Sequence, residues 1–430
     1  MAQEADKDTY VSITPLLKRL WPSPGDAKVS PDEIALALSH IFTNSLSPVQ
    51  AGALLTALHF TGWDRKGDVI AKSAEVMRLA AAPVDTKALR ALVRRRGRKE
   101  GTYRGGFCDI VGTGGDSHNT FNISTTSSIL ASSLLLLSKH GNRASTSKSG
   151  SADVLAAMAP KAPNLQAINA ESLIKVYDES NYAFLFAPVF HPGMKHIATV
   201  RRELGWRTIF NLLGPLANPV DVAIEARVIG IARKDLGPAF AQALKLSGAK
   251  KAMIICGEED LDEISCAGRT LCWRLSERPN PDFRGPKNEE DEEITTSDED
   301  APPRNFVDVE HFYLSPEDFG LPAHPLSEVS PGKLPEENAE ILTKLLKNQL
   351  PRDDPILHFV LMNTAALFVV AGICDADTSN MGPGDDGKVI TERGPGGGRW
   401  KEGVRRARWA VESGEAWKSW SSFVEVTNKL

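Results

Sequence analysis

The sequence predicts an α/β protein with a small all-helical N-terminal unit and a larger unit in which helices cover a sheet. Two patterns indicate this. Up to about residue 100, apolar residues recur at helical spacing behind capping residues. From Phe107 onward, short apolar runs such as FCDIV alternate with helical segments, the first of which is predicted to continue through Leu137. Hydrophobic residues make up 42% and charged residues 24% of the 430 positions, which is typical of a globular protein with a large core.

Three capping sites mark the helices of the N-terminal unit, at Thr14-Pro15, Ser30-Pro31 and Ser47-Pro48. Each site places a side-chain oxygen before a proline at the first helical position. Glu33 and Gln50 lie three residues after the two serines, so two capping boxes are predicted. These signals define a small all-helical unit.

The domain boundaries follow from changes in composition along the chain. The helical domain is predicted over residues 1–100 and the α/β domain over residues 105–430. The basic run Arg94–Lys99 between them is interpreted as a solvated linker, because it is short and lacks aromatic residues on which bases could stack. An acidic, proline-containing run at about 279–303 is predicted to be a disordered surface insertion, with an acidic docking segment as the alternative. A glycine-rich stretch at about 375–399 is predicted to be a second loop insertion.

Charge and cysteine content argue against several classes of protein. The net charge of −5 and the pI of about 6.0 lack the basic excess that is typical of nucleic-acid binders. The five cysteines are odd in number and contain no C-x-x-C pair, which favours reduced thiols in the cytoplasm over a disulfide framework or a zinc site. The first ten residues contain no apolar signal core, and no apolar stretch is long enough to span a bilayer. We therefore expect a cytoplasmic protein without a membrane or nucleic-acid partner.

The most informative segment is DIVGTGGDSHNTFNIST, residues Asp109–Thr125. A β-like run leads into glycines at 112, 114 and 115, and hydroxyl-bearing residues then enter a helix. Glycine permits positive φ and close backbone approach to a ligand, and exposed amides before a helix N-terminus bind anions. The hydroxyl groups could also ligate a metal. A plain strand-to-helix turn is the alternative for this motif alone, which matches neither the dinucleotide fingerprint nor the P-loop.

A second polar segment, KHGNRASTSKSGSAD, spans Lys139–Asp153. Lys139, Arg143 and Lys148 supply positive charge, and the serines, threonine and asparagine supply neutral hydrogen-bonding groups. A loop of this polarity between an apolar helix and the apolar run that starts at Val154 suits a phosphorylated sugar better than a packing role. The alternative is an ordinary solvated loop.

Two further segments carry signals that are weak when taken singly. Phe184–Pro219 contains His191 and Arg201, which would ordinarily be a structural histidine and part of a charged helix face. The run GEEDLDEIS contains the adjacent carboxylates Asp262 and Glu263 behind an apolar strand. Such a pair suits Mg²⁺, which keeps most of its waters and takes few protein ligands, although acidic loops are common.

In this order, the four segments resemble the anthranilate phosphoribosyltransferase family, and the resemblance extends from the N-terminal helices to the C-terminus. It implies a small helical domain completed by helices from about 190–210, a larger α/β domain of nucleoside-phosphorylase type, and an active site in the interdomain cleft. It also implies a homodimer that transfers the phosphoribosyl group of phosphoribosyl pyrophosphate (PRPP) to anthranilate in tryptophan biosynthesis. Two Mg²⁺ ions are expected to bind with PRPP.

The resemblance also assigns roles to single residues. The PRPP site is expected at Gly112, Gly115, Asp116, Thr120, Asn122, Ile123, Ser124, Thr125, Lys139, His140, Gly141, Asn142, Arg143, Ala144, Ser145, Thr146, Ser147 and Ser151. Anthranilate is expected to contact Gly112, Asn142 and Arg201, and Mg²⁺ to be held by Ser124, Asp262 and Glu263. Lys139, Asn142 and Arg201 are the expected catalytic residues, and no general base is nominated. Ser117 stands where the family more often has glycine, and Gly193 where it has alanine.

Two other functions stay open at this point. A pyrimidine-nucleoside phosphorylase shares the fold but carries K-H-S-T-G-G in place of G-T-G-G-D. A non-catalytic paralogue could bind nucleic acid through the basic run near Arg95. Such a paralogue would be expected to lose the acidic pair or the anthranilate arginine, and this chain has both.

Overall fold

The computed structural model describes residues 10–20, 28–144, 149–281, 305–330 and 334–430. These residues form an N-terminal group of helices and a larger unit built on one seven-stranded sheet. The predicted fold class, a helical domain followed by an α/β domain, is therefore confirmed.

Five helices open the described chain. They are α1 Thr14–Leu20, α2 Pro31–Phe42, α3 Pro48–Thr61, α4 Gly67–Leu79 and α5 Thr86–Arg96. Ser30 and Glu33 form the predicted reciprocal capping box of α2. Only one of the two hydrogen bonds of the second predicted capping box forms. Ser47 Oγ accepts the Gln50 N–H at 3.3 Å, but Gln50 Oε1 accepts the N–H of the distant Ile13 at 2.7 Å instead of the N–H of Ser47.

The sheet is mixed and runs in the order β3-β2-β1-β4-β5-β6-β7. Its strands are β1 Phe107–Gly112, β2 Leu136–Gly141, β3 Tyr182–Phe186, β4 Ile224–Gly230, β5 Lys251–Gly257, β6 Thr270–Pro279 and β7 Asn305–Leu314. The first five strands are parallel, and β6 and β7 are antiparallel to their neighbours. Parallel strands end at one common edge, so the glycine loop (residues 112–119) after β1 lies beside the described parts, 141–144 and 149–150, of the polar loop (residues 141–150) after β2.

The remaining helices follow β1 and the later strands, and several of them pack on the sheet. They are α6 Ile123–Ala131, α7 Ser151–Ala156, α8 Leu173–Glu179, α9 Ala187–Phe190, α10 Ala198–Leu204, α11 Ile209–Leu213, α12 Gly237–Leu246, α13 Pro335–Leu346, α14 Pro355–Ala371, α15 Trp400–Glu412 and α16 Glu415–Thr427. Helix α14 is buried on all sides and packs against β1, β4 and β5. Among the described helices, none combines the length and the apolar character that crossing a bilayer requires.

Buried apolar side chains form two cores, which lie on opposite faces of the sheet at β4 and β5. Val228 of β4 belongs to the core around α14, whereas its neighbour Ile229 belongs to the other core, as the alternation of a strand requires. This second core also contains the buried residues of α1 to α4, together with Ile197, Ile209 and Phe210. The segment around α10 and α11 therefore packs with the N-terminal helices.

The basic run Arg94–Lys99 is not the solvated linker that was predicted. Its first half completes α5, which packs through Leu89 and Leu92 into the core around α14. Arg95 forms an ion pair with Asp178, close to the end of α8. The run therefore ends a packed helix. Arg94 and Arg95 are exposed, whereas the half-buried Arg96 donates to Tyr177 O and Asn181 Oδ1.

The helix predicted to continue through Leu137 ends at Ala131, and Leu136 begins β2. A short run of leucines has the same hydrophobic pattern in a buried helix and in a buried strand, so periodicity could not separate the two. The predicted acidic insertion lies outside the described residues except for 279–281. The glycine-rich stretch 375–399 contains only turns and short 3₁₀ segments.

Candidate active site

The two segments that the sequence singled out meet at the carboxyl edge of the parallel strands. Thr125 Oγ1, in the first turn of α6, donates to Ser151 Oγ at 2.8 Å. Lys139 Nζ, on β2, lies 3.4 Å from Ser124 Oγ. These contacts join the start of α6, which follows the glycine loop, to β2 and to the start of α7, which flank the polar loop.

The glycine loop has an unusual backbone. Gly114, Gly115 and Ser117 have φ values of 64°, 83° and 67°, and Ser117 is the position where glycine is more usual. The N–H of Gly114 donates to Asp262 Oδ2 at 2.6 Å. Within the described residues, the amides of Gly115 and Asp116 donate to no protein acceptor. Consecutive amides without acceptors in such a turn form a typical anion-binding concavity.

The acidic pair Asp262 and Glu263 lies behind this loop, with only 8% of each residue exposed. Burial and the Asp116 carboxylate raise the pKa of Asp262 to about 7, and burial and Asp262 raise the pKa of Glu263 well above its usual range. Lys139 is buried next to them and donates from Nζ to Ile110 O at 2.7 Å. Burial lowers the pKa of this lysine, and the nearby carboxylates oppose that shift. Asp116, Asp262 and Glu263 thus share the region with the Lys139 ammonium and the Arg207 guanidinium, and the raised pKa values of the pair indicate that a bound cation would stabilise its charged form.

The donor set at this end of the cleft fits Mg²⁺. Asp262 and Glu263 offer hard oxygen atoms, and the backbone amide of Ser124 is close enough to the Glu263 carboxylate to lower its pKa, so Ser124 lies near the pair. No group of three or more histidine, cysteine, aspartate or glutamate side chains forms a complete metal cage in the described part of the chain. Mg²⁺ commonly binds through one or two carboxylates together with water and substrate phosphates, and this arrangement matches that mode.

A cavity of about 530 Å³ opens on the other side of the glycine loop. Its walls include Gly112, Thr113, His140, Gly141, Asn142, Arg143, His191, Arg201, Phe210 and Asn211. The Arg201 guanidinium lies 5.6 Å from the centre of the Phe210 ring and donates to Asn211 Oδ1 at 3.3 Å. A guanidinium fork in a cavity of mixed apolar and polar walls suits a small aromatic carboxylate.

Two histidines face each other in this cavity, with ring centres 5.0 Å apart. His140 Nδ1 lies 3.2 Å from Gly214 O, and His191 Nε2 lies 2.9 Å from Ala217 O. Burial lowers the pKa of His140 to about 3 and that of His191 to about 4, so both rings are neutral at pH 7. A neutral imidazole donates through one nitrogen only. His140 therefore presents a buried Nε2 acceptor, which has no protein partner among the described residues.

Most of the residues expected at the PRPP site lie at this edge, although their side chains differ in accessibility. Thr120 and Asn122 lead into α6 and are half-buried. Ile123 is 1% exposed and belongs to the core, so only its backbone can face a ligand. The Thr125 hydroxyl is likewise buried. Three expected residues fall outside the described part of the chain, Ser145, Thr146 and Ser147.

Sequence reasoning did not single out Asp153, which supports the polar loop. Its Oδ2 accepts the N–H groups of Ala144 at 2.8 Å and Gly150 at 3.1 Å, and its Oδ1 pairs with Arg143. One carboxylate thus holds both ends of the loop. Asp153 is the last residue of the segment Lys139–Asp153, but a single acidic residue near the start of a helix is ordinarily interpreted as part of the helix cap.

Arg207 was also missed. Its Nη2 donates to Thr113 O in the glycine loop at 3.0 Å, a contact between residues 94 positions apart. Neither spacing nor residue type could reveal this contact, since arginines in the third segment read as a charged helix face.

Known families account for both parts of this architecture. Residues 14–81 match the "Glycosyl transferase family, helical bundle domain", and residues 104–282 and 296–417 match the "Glycosyl transferase family, a/b domain". The fold and the cleft thus define a glycosyltransferase. The anthranilate phosphoribosyltransferase of Schizosaccharomyces pombe is 36% identical over 91% of the chain and 91% of that relative. The one of Saccharomyces cerevisiae is 30% identical over 89% of the chain and 87% of its own length. The chain belongs to the anthranilate phosphoribosyltransferase family.

Solved structures of anthranilate phosphoribosyltransferases resemble this chain over nearly its whole length. The S. cerevisiae anthranilate phosphoribosyltransferase in complex with PRPP and Mg has a TM-score of 0.73 at 28% identity, with 96% of this chain and 97% of that one covered. The same enzyme in complex with 4-fluoroanthranilate gives 0.71 at 27% identity over the same shares of the two chains. The anthranilate phosphoribosyltransferase from Thermus thermophilus gives 0.69 at 31% identity, with 93% and 96% covered. The family that the sequence resembled is thereby confirmed.

Proposed function

We propose that this protein transfers the phosphoribosyl group of PRPP to the amino group of anthranilate, which gives N-(5-phosphoribosyl)anthranilate and pyrophosphate in tryptophan biosynthesis. One observation carries the proposal. Two chemically different sites meet at Gly112, which lines the cavity with Arg201 and lies directly against the Asp262 carboxylate. One side suits a metal-bound diphosphate, and the other suits an aromatic acid.

PRPP binds along the glycine loop and the polar loop. The amides of Gly115 and Asp116 and the N-terminus of α6 face its diphosphate, because these groups are the anion donors at this edge of the sheet. Asp262, Glu263 and Ser124 would hold Mg²⁺ together with the substrate, and we expect two ions to bind. When bound, the metal neutralises charge on the diphosphate leaving group.

Anthranilate binds in the histidine-lined cavity. Arg201 pairs with its carboxylate, and Asn142 and Gly112 lie on the same wall. Departure of pyrophosphate leaves positive charge on the ribose ring, so catalysis needs positioning and charge neutralisation more than a nucleophile of the protein. An aromatic amine keeps its lone pair at neutral pH, and the arylammonium formed by its attack is acidic enough to lose its proton to water, so no strong general base of the protein is required.

A fluorescence assay tests the proposal directly. Anthranilate fluorescence should disappear only when the protein, PRPP and Mg²⁺ are all present. Phosphate-dependent cleavage of thymidine or uridine without anthranilate turnover would instead favour a nucleoside phosphorylase. Salt-sensitive binding to DNA without turnover would favour a nucleic-acid-binding paralogue.

The protein acts as a homodimer in the cytoplasm. Large apolar side chains are exposed on α2, α3 and α4, at Leu36, Val49, Phe60 and Leu79, where a second copy could cover them. All five cysteines are free and buried, which fits a reducing compartment. Light scattering should give twice the 46.6 kDa chain mass, and a single-chain mass would contradict the dimer.

A further inference from the structure

Arg207 links the helical side of the cleft to the glycine loop. It lies between α10 and α11, two residues before Ile209, which packs into the core of the N-terminal helices. Its Nη2 donates to Thr113 O at 3.0 Å. The guanidinium also lies directly against Gly115, since a Cβ added to that glycine would overlap Nη1 and lie 2.7 Å from Cζ.

The contact holds one end of a single peptide group. Thr113 O and Gly114 N belong to the same planar peptide unit, in which the C=O and N–H point in opposite directions. The O end accepts from Arg207, and the N–H end donates to Asp262 Oδ2 at 2.6 Å. A flipped peptide would place a carbonyl oxygen against the Asp262 carboxylate and an N–H against the guanidinium. Both contacts would then be repulsive, so the two charged side chains together specify one orientation.

Other contacts fix the start of this loop but leave the peptide group free to turn. The N–H of Thr113 donates to Gly230 O at 2.9 Å, and Thr113 Oγ1 accepts from Ala232 N at 3.3 Å. Gly230 is the last residue of β4 and Ala232 follows it, so both partners belong to the α/β domain. In the described part of the chain Arg207 forms no ion pair, and the Asp262 and Asp116 carboxylates only partly offset the lowering of its pKa by burial. A half-buried guanidinium with this environment is available to hold a backbone carbonyl.

We infer that Arg207 is a positioning residue that fixes the Thr113–Gly114 peptide and thereby aims the Gly115 and Asp116 amides at the diphosphate. The inference rests on the proposed function for the identity of that ligand. Because Arg207 belongs to the segment that packs with the N-terminal helices, it also connects the loop to the helical side of the cleft. Arg201, six residues earlier, faces the aromatic cavity from the same segment.

Three variants test the role of Arg207. Arg207→Ala should raise the KM for PRPP about 10- to 100-fold, the size expected for losing a hydrogen bond to a charged group, while kcat and the anthranilate KM change less than about threefold. Arg207→Lys should restore much of the PRPP KM, because an ammonium can still donate to the Thr113 carbonyl. Arg202→Ala is the matched control. It removes the same charge from an exposed position of α10 and should leave both KM values unchanged.

A second readout does not depend on turnover. In the protein without substrates, Arg207→Ala should speed hydrogen exchange at the Gly114 amide about tenfold or more, with exchange in α14 unchanged. Arg207→Met, which keeps most of the side-chain length without a donor, replaces Arg207→Ala if the latter does not fold, with the same direction of change.

The outcomes separate the two proposals. An active wild type together with unchanged PRPP KM and unchanged Gly114 exchange in Arg207→Ala would overturn the inference and leave the function intact. A wild type without anthranilate turnover would overturn the proposed function, and the exchange measurement would still decide whether Arg207 holds the loop.

Discussion

The two ends of the cleft differ in how they handle charge. At the end proposed for the diphosphate, Asp262 and Glu263 are buried beside Asp116, and burial raises the pKa of both members of the pair, with Lys139 and Arg207 as neighbouring cations. At the end proposed for anthranilate, burial keeps two histidines neutral, and Arg201 is one of the cationic side chains on the wall. Under this proposal the first end needs a bound cation to stabilise its carboxylates, whereas the second suits one carboxylate. A mutation should therefore affect PRPP or anthranilate selectively, according to the end that it alters.

The largest effect is expected from removing both charges of the acidic pair. Asp262→Asn combined with Glu263→Gln should lower kcat/KM about 1,000-fold or more, because the metal that neutralises the leaving group loses its carboxylates. Steady-state kinetics at saturating Mg²⁺ measures the loss of kcat/KM, and circular dichroism checks that the variant is folded. Wild-type turnover in this variant would remove the metal role and with it the proposed contrast between the two ends.

Arg201→Ala tests the aromatic end. Loss of the charge-assisted pair with the substrate carboxylate should raise the anthranilate KM about 100-fold and leave the PRPP KM within about threefold. Steady-state kinetics with each substrate varied in turn separates the two values, and Arg202→Ala serves as the control. A rise confined to the PRPP KM would show that Arg201 acts on PRPP and would contradict its assignment to the anthranilate carboxylate.

The smallest effect concerns the neutral histidines and appears in stability. The pKa of His140 is lowered to about 3 in the folded protein. Below about pH 6.5 this histidine is therefore protonated in the unfolded chain but stays neutral in the folded protein. The contribution of this group to stability is therefore present above pH 6.5 and is lost as pH falls toward 3. The loss amounts to about 1.4 kcal/mol per pH unit in that window. Denaturant unfolding between pH 7 and pH 5 should show a smaller loss for His140→Gln than for the wild type; equal losses would mean that His140 is charged in the folded cavity.

Features that depend on neighbours in sequence were predictable. The capping box of Ser30 and Glu33 needs residues only three apart, and it formed as predicted. The box expected from Ser47 and Gln50 is incomplete because the glutamine side chain accepts from Ile13, 37 residues away. The prediction that the basic run Arg94–Lys99 is a solvated linker was wrong for the same reason. The helix that contains its first half packs on a core formed by residues that come much later in the sequence.

By itself, the sequence determined which residue types could do the chemistry and in what order they occur, including the glycines after β1, the adjacent carboxylates and the arginine. These properties reside in the side chains and need no partner to be recognised. Only the tertiary structure decided that Arg207 holds the Thr113 carbonyl and that His140 is neutral. Both depend on distant segments that come close and exclude water, and an orientation or a pKa is set by those surroundings and not by the residue type.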